Sequence, residues 1–350
     1  MNRSRSGLKM FFVASIAIAS IAINPSYAQM AAGDPMPAKL EQGVDRGLAF
    51  LAKQQEADGS IAGGGPRAAV TSLSLMAFLA AGHTPDVGRH GEIVRNATDY
   101  LLNVAPADGY FGNVDGSRMY GHGITTLALA EVAGVEMDPV KRARIIKTLS
   151  AAVLVILKAQ DVNKGPADKG GWRYEPGSVD SDLSLSGWNA LALRAAQNVG
   201  VQVPKERVDR AIAYVLRCYH KEQRGFGYQP GQGASAAMTG VGALNLYLLD
   251  AANRPEANTA GEYLAKSLVN ENSRFPYYAA YYATQAASQI GEETWKSVWP
   301  ATMNRLLAAQ MEDGGWPVSK TGEEPGRAYS TSMAVLTLTV PYRLLPIYQR

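Results

Sequence analysis

From Gly59 to Gly315 the chain repeats one pattern, a helix, a Gly-rich turn and a second helix, at a mean interval of about 51 residues. A period of this length restricts the fold to an array of supersecondary units, because one hairpin cannot bury its own apolar face and each must be covered by its neighbours. Where such an array leaves a cavity then decides what it can bind.

The helices fall into two classes. Segments near 37–55, 88–103, 138–160, 204–221, 255–271 and 291–311 are amphipathic, as in Leu40, Val44, Leu48 and Leu51, and predict outer helices with one apolar stripe. Segments near 69–81, 122–134, 182–199, 235–252, 276–290 and 328–340 are rich in Ala, Leu, Gly, Ser and Thr and almost free of charge. Helices apolar on most faces must be buried, and small residues let them approach closely. Six inner helices ringed by six outer ones satisfy both classes. Turn signals join them at Asp58-Gly59, Asp108-Gly109, Gly170-Gly171, Gly225-Phe226-Gly227 and Asp313-Gly314-Gly315. An aromatic residue beside the turn, Trp172, Phe226 or Trp316, is placed to pack over it. The fifth unit departs, with Phe275-Pro276-Tyr277-Tyr278 where the glycines would be.

Residues 1–28 read as a secretory signal: Arg3, Arg5 and Lys9 precede an apolar run from Met10 to Ile23, and small residues end at Ala28. The run is shorter than the roughly 20 residues that span a bilayer as a helix. We therefore expect an exported protein, periplasmic or extracellular, with 29–350 as one domain and no transmembrane segment after signal removal. The leader's three cations equal the formal excess of +3, so the mature part is balanced and carries no electrostatic footprint for nucleic acid. Cys218 is the only cysteine, so no disulfide forms within the chain, and stability rests on a core that 47% hydrophobic residues can build.

A finer pattern accompanies the turns. Arg46, Gly47, Phe50, Leu51, Gln55 and Gly59 occur in order, with Ile61 in a Trp position; Gln310, Gly314 and Trp316 have the spacing Gln-x3-Gly-x-Trp; Gln160 precedes Gly170-Gly171-Trp172 with a longer insertion. These resemble the repeats of the prenyltransferase and squalene oxidase family, which includes squalene cyclases and the β subunits of protein prenyltransferases. The resemblance covers nearly all of residues 29–350 and implies an all-α (α/α)6 toroid of six helical hairpins. The Gln and Trp have a structural reading that needs no chemistry: the amide satisfies backbone groups at a helix end and the indole stacks over the turn.

One constellation carries a chemical reading, Val179-Asp180-Ser181-Asp182-Leu183-Ser184 at the start of the third inner helix. In the cyclases that the repeats resemble, an Asp-x-Asp-Asp motif protonates an alkene through its middle acid. The resemblance implies Asp182 as proton donor beside Asp180, with Leu183 in the third acid's position. Such a donor must stay neutral yet acidic, which a neighbouring carboxylate favours and a helix N-terminus opposes. The alternative is that Asp182 or Asp180 caps the helix. His122, at the second inner helix, is a further candidate base or ligand, or else a histidine bonded to a nearby loop.

Carbocation chemistry would also need aromatic faces. Trp188, Tyr247, Tyr278, Tyr282, Tyr329 and Tyr120 are the candidate substrate-lining residues; Tyr277/Tyr281 and Tyr278/Tyr282 form stripes four apart on one helix. No cofactor is expected and no metal site: Cys218 and His220, two apart on an expected outer helix, point about 200° apart. The readings that follow are a terpenoid-cyclase-like toroid that binds or cyclises an isoprenoid or other hydrophobic molecule in a central cavity, a non-catalytic binding or scaffold toroid, and a carbohydrate-active (α/α)6 enzyme. Squalene cyclases use two helical domains, so a cyclase of this length would need a partner protein or a smaller substrate.

Overall fold

The computed structural model describes residues 37–267, 274–320 and 325–349. The expected boundary at residue 28 and the leader lie outside the described residues. Six hairpins alternate outer and inner helices. The outer helices are α1 (Ala38–Lys53), α3 (Gly91–Asn103), α6 (Pro139–Gln160), α8 (Lys205–Arg217), α10 (Pro255–Lys266) and α12 (Glu292–Ala309). The inner ones are α2 (Arg67–Ala80), α5 (Arg118–Val135), α7 (Leu183–Asn198), α9 (Ala236–Leu248), α11 (Pro276–Ile290) and α13 (Arg327–Leu338), and a single turn, α4 (Gly112–Asp115), precedes α5.

Each inner helix packs on the next, and α13 returns to α2, so the array closes into a ring. The cause is in the composition. Every residue of α2 from Ala68 to Ala80 is buried, whereas α1 buries only one face, including Leu40, Val44, Leu48 and Leu51. Small polar residues bridge adjacent inner helices at matching heights: Ser72 Oγ donates to Thr125 Oγ1 (3.0 Å), and Ser74 and Ser332 share a bond of 2.9 Å at the closure. The starts of successive inner helices also meet: Ala69 N–H of α2 donates to Asp115 just before α5 (3.0 Å), Met119 N–H of α5 to Tyr174 O ahead of α7 (2.9 Å), and Leu183 N–H of α7 to Tyr228 O ahead of α9 (2.8 Å), so these helices run parallel and their N-termini share one rim.

The outer layer is held by a clamp built three times. Gln55 Nε2 donates to Gly59 O (3.1 Å) in its own turn and to Ile93 O (2.9 Å) in α3. Gln160 Nε2 does the same to Gly170 O (3.0 Å) and Arg207 O (3.0 Å) in α8. Gln310 Nε2 reaches Gly314 O (2.8 Å) and Gly43 O (2.8 Å) in α1, which ties the last outer helix to the first. In each turn the glycine has a φ near +90°, and an added Cβ at Gly59, Gly170 or Gly314 would lie 2.3, 2.2 or 2.4 Å from the carbonyl oxygen of Asn96, Arg210 or Arg46. Those oxygens sit three residues beyond the ones the glutamines reach. Only glycine permits both that conformation and that approach. Trp172 and Trp316 complete the turns, their indole N–H groups donating to Ile156 O (2.8 Å) and Leu306 O (2.7 Å).

Two local expectations are corrected. The fourth outer helix ends at Arg217, with Cys218 as its C-cap, and the chain turns into a short hairpin, β1 (Tyr219–His220) against β2 (Gly225–Phe226). Cys218 and His220 therefore do not share a helix. The second inner helix starts at Arg118, which places His122 in its second turn. At the other end of the ring, tight helical turns at Val340–Tyr342 and Pro346–Tyr348 fold the C-terminal segment back onto the inner helices. Among the described residues no helix is long and apolar enough to cross a membrane.

Replacing Gln310 by Ala removes both closing bonds and leaves the Gly43 and Gly314 carbonyls short of a donor. The expected cost is about 1–3 kcal/mol of unfolding free energy, read as a lower urea midpoint; an unchanged midpoint would show that the clamp does not hold the ring closed.

Candidate functional site

Asp182 is the N-cap of α7, with φ −137° and ψ 159°. Its Oδ1 accepts the Leu185 N–H (2.9 Å) and the Ser184 hydroxyl (2.7 Å), and its Oδ2 accepts Arg173 Nη1 (2.6 Å). The side chain is fully buried. Ser235 occupies the same position one repeat later, capping α9 with φ −135° and ψ 159° and accepting the Met238 N–H (3.2 Å). The backbone repeats as well: Asp182 N–H donates to Trp172 O (3.0 Å) and Ser235 N–H to Phe226 O (3.1 Å). The acid thus fills a capping position that a neutral serine fills elsewhere.

Arg173 joins the two acids of the motif. Its Nε meets Asp180 at 3.1 Å, its Nη1 meets Asp182 and the Tyr228 hydroxyl (2.8 Å), and its guanidinium lies over the rings of Tyr174 (4.9 Å) and Tyr228 (5.5 Å). Every group of this cluster is engaged. An acid that accepts two bonds from the fold and an ion pair from a guanidinium has both oxygens committed to local structure. Lys164, buried beneath, donates to Gly171 O (2.8 Å), Asp180 O (3.2 Å) and Ser181 Oγ (3.1 Å), fixing the insertion that carries the motif. Sequence reasoning missed both Arg173 and Lys164; Arg173 directly follows the Trp of its repeat, and this adjacency was the available signal.

His122 also occupies a repeated position. The N–H of the residue beside each glycine turn donates to a side chain in the first turns of the following inner helix: Ile61 to Thr71 (2.9 Å), Trp172 to Ser186 (2.9 Å), Phe226 to Thr239 (3.0 Å) and Trp316 to Thr331 (3.0 Å). In the second unit Phe111 N–H donates to His122 Nδ1 (3.3 Å), and Nε2 bonds Ala152 O (3.1 Å) in α6. A carbonyl only accepts, so Nε2 carries the proton and both nitrogens are used. Burial pushes the imidazole down to about 4, the Ala152 bond opposing it. His122 thus faces the outer layer through α6.

The aromatic residues gather differently. Trp188 on α7 stacks on Tyr281 of α11 (6.1 Å, 10°) and meets Tyr282 edge-on (5.3 Å, 74°). These helices are not neighbours, since α9 stands between them in the ring, so the rings meet across the interior. Tyr278 packs on Tyr282 (4.7 Å) one turn nearer the rim. Tyr120 on α5 approaches Trp188 and Tyr278, and Tyr329 on α13 lies near Tyr278 and Tyr282. Tyr120 and Tyr329 are half-buried, whereas Trp188 and Tyr282 are closed off. The result is an aromatic floor beneath a mouth at the N-terminal rim of the inner helices, rather than an open central chamber. Tyr247 does not join it: its hydroxyl donates to Asn258 (2.8 Å) in the outer helix α10.

Three buried polar atoms of the floor, Trp188 Nε1, Tyr278 Oη and Tyr282 Oη, have no hydrogen-bond partner. Each such group costs about 1–3 kcal/mol if it stays unmade. Tyr120, Tyr278 and Tyr282 are near enough to couple electrostatically, and burial raises their phenols, but the contacts among them do not reach bonding geometry. Among the described residues no group of three or more His, Cys, Asp or Glu side chains converges as a metal site would require.

Below the floor the C-terminal segment closes the ring. Tyr348 and Tyr281 share a hydroxyl bond of 2.5 Å, and Ile347 N–H donates to Glu131 Oε2 (3.2 Å). Glu131 is an acid that sequence reasoning passed over, lying in the apolar run Leu127-Ala128-Leu129-Ala130. Burial pushes its carboxyl up to about 8, with the Ile347 bond opposing.

No family model and no curated protein matches the chain. Solved structures do share its fold. The type II terpene cyclase MstE from Scytonema superposes with a TM-score of 0.56 at 14% identity, covering 89% of this chain and 100% of that one. A variant of that cyclase in complex with its substrate, geranylgeranyl dihydroxybenzoate, gives a TM-score of 0.57 at 15% identity, covering 88% and 98%. A glycosidase variant reaches 0.61 at 13% identity, covering 88% and 98%. The chain is an all-α toroid of helical hairpins of the (α/α)6 kind, an architecture found in both terpene cyclases and glycosidases, and a likeness at such identities extends to the fold alone.

Glu131 supplies a pH test. The folded protein keeps a proton that the unfolded chain releases above its ordinary value of 4.5. The native state therefore binds more protons between about pH 4.5 and 8, and stability falls across that window by at most ~1.4 kcal/mol per pH unit, then levels off. Glu131→Gln flattens this decline in urea midpoints measured across the window; parallel profiles for the two proteins would mean that Glu131 ionises normally.

Proposed function

We propose that this protein is a non-catalytic binding toroid that takes a small, largely apolar ligand at the aromatic mouth of its inner ring. The commitment of Asp182 carries the reading: the acid that a cyclase would spend on protonation caps α7 and neutralises Arg173. His122 is likewise bonded at both nitrogens. What the rim offers instead is the half-buried tyrosine surface of Tyr120 and Tyr329, above the buried Trp188, Tyr278 and Tyr282. The terpene cyclase and glycosidase structures that share the fold support a ring able to take a hydrophobic or a sugar molecule. The tyrosine-rich, charge-matched mouth favours the hydrophobic one, and an isoprenoid is the class the repeat resemblance brings. The leader ending at Ala28 supports a place outside the cytoplasm, in the periplasm or the medium.

The test is direct. Purified protein incubated with squalene or geranylgeraniol should release no product, with wild type and Asp182→Asn alike, while equilibrium dialysis detects bound geranylgeraniol. Tyr120→Ala and Tyr329→Ala should each weaken that binding by roughly tenfold, about 1.4 kcal/mol. A cyclised product formed by the wild type and lost in Asp182→Asn would replace this reading with catalysis.

A further inference from the structure

The polar atoms of the floor point to the chemistry of the ligand, an inference that rests on the binding reading above. Trp188 Nε1, Tyr278 Oη and Tyr282 Oη come from two inner helices that face each other across the ring, and none has a partner. All three residues are at least nine-tenths buried. Tyr120, half-buried in the first turn of α5, brings its hydroxyl beside Trp188 and Tyr278 from the rim side. Tyr281, in the same cluster, shows the contrast: its hydroxyl is satisfied by Tyr348 at 2.5 Å.

We propose that these three atoms form a head-group site for a neutral oxygen, so that an apolar ligand bearing a hydroxyl or carbonyl enters oxygen first and is held by Trp188, Tyr278 and Tyr282. The donor inventory sets the class. The indole N–H only donates, and each phenol both donates and accepts, so a ligand oxygen that accepts from Trp188 and exchanges bonds with a tyrosine satisfies the set. A hydrocarbon satisfies none of it. An ionised head would need a cation at the same depth, and the rim guanidinium Arg173 is already paired with Asp180 and Asp182. The ligand body then lies against Tyr120 and Tyr329 at the mouth.

Isothermal titration with farnesol and with farnesene, the hydrocarbon of the same chain length, separates the outcomes. Wild type should bind the alcohol at least about tenfold more tightly than the hydrocarbon. The double variant Tyr278→Phe, Tyr282→Phe keeps the ring packing and should lose that preference, with hydrocarbon affinity changed less than about twofold and an unaltered near-ultraviolet circular dichroism spectrum. Trp188→Phe should lose part of it. Equal binding of alcohol and hydrocarbon by the wild type, or a preference that survives in the double variant, overturns the head-group site while leaving the mouth intact: the three atoms then serve water alone. Binding of neither ligand removes the mouth reading and the head-group site with it.

Discussion

The fold depends on a contact between a glycine and a carbonyl group. An outer helix can end against the first turns of the next only if the chain turns sharply and then lies flat on that helix. At Gly59, Gly170 and Gly314 the backbone takes a φ near +90° and presses its Cα against a carbonyl oxygen, at distances that exclude any side chain. The preceding glutamine spans the same junction with both amide hydrogens, one to its own turn and one to the neighbouring helix. The same junction stands at the first, third and sixth hairpins, and at the sixth it meets α1, so the contact that ties the last outer helix to the first has the local geometry of the other two.

Closure also determines how much room remains inside. Glycine and serine at the inner contacts bring those helices close: an added Cβ at Gly187 would fall 2.5 Å from Val241, and one at Gly240 would fall 2.6 Å from the backbone of Tyr282 and Ala283. A ring so narrow is filled at mid-height by a few large rings, which is why Trp188 reaches Tyr281 and Tyr282 past an intervening helix. The C-terminal turns then seal one end through Tyr348 and Ile347. Ligand chemistry is left with the opposite rim. The same small residues that make the toroid buildable thus shift its site from the centre to the mouth.

The architecture was legible because it is written in local, repeated signals. The 51-residue interval, the two helix classes and the glycine turns each report on a few adjacent residues, and together they specify hairpins with one way to pack. The candidate site was less legible, because its meaning depends on what each side chain meets. His122 looks like a lone functional histidine until it is set beside Thr71, Ser186, Thr239 and Thr331, whose position it takes. Asp182 and Ser235 share a capping position that no single repeat discloses. Tyr247 lies on an inner helix, yet its hydroxyl bonds the outer layer. Glu131 is invisible in an apolar run because its partner, Ile347, is 216 residues away. Sequence proximity to the turns is readable; the direction of a side chain within a two-layer ring is not.

The sign of the field at the mouth bears on which chemistry this rim tolerates. Parallel inner helices bring their N-termini to one edge, where unsatisfied N–H groups and the peptide dipoles give each a partial positive charge. Asp182 offsets one of them, but it is also shared with Arg173, which in turn holds Asp180, so two carboxylates there face one guanidinium and several helix ends. A carbocation formed beside such a rim would gain from the aromatic faces and lose to the dipoles. An electron-rich oxygen gains from the dipoles, from the indole N–H and from the phenols together. An oxygen-bearing, otherwise apolar molecule thus suits this rim, whereas Asp182, the acid that would start cation chemistry, is already committed to the α7 cap and to Arg173.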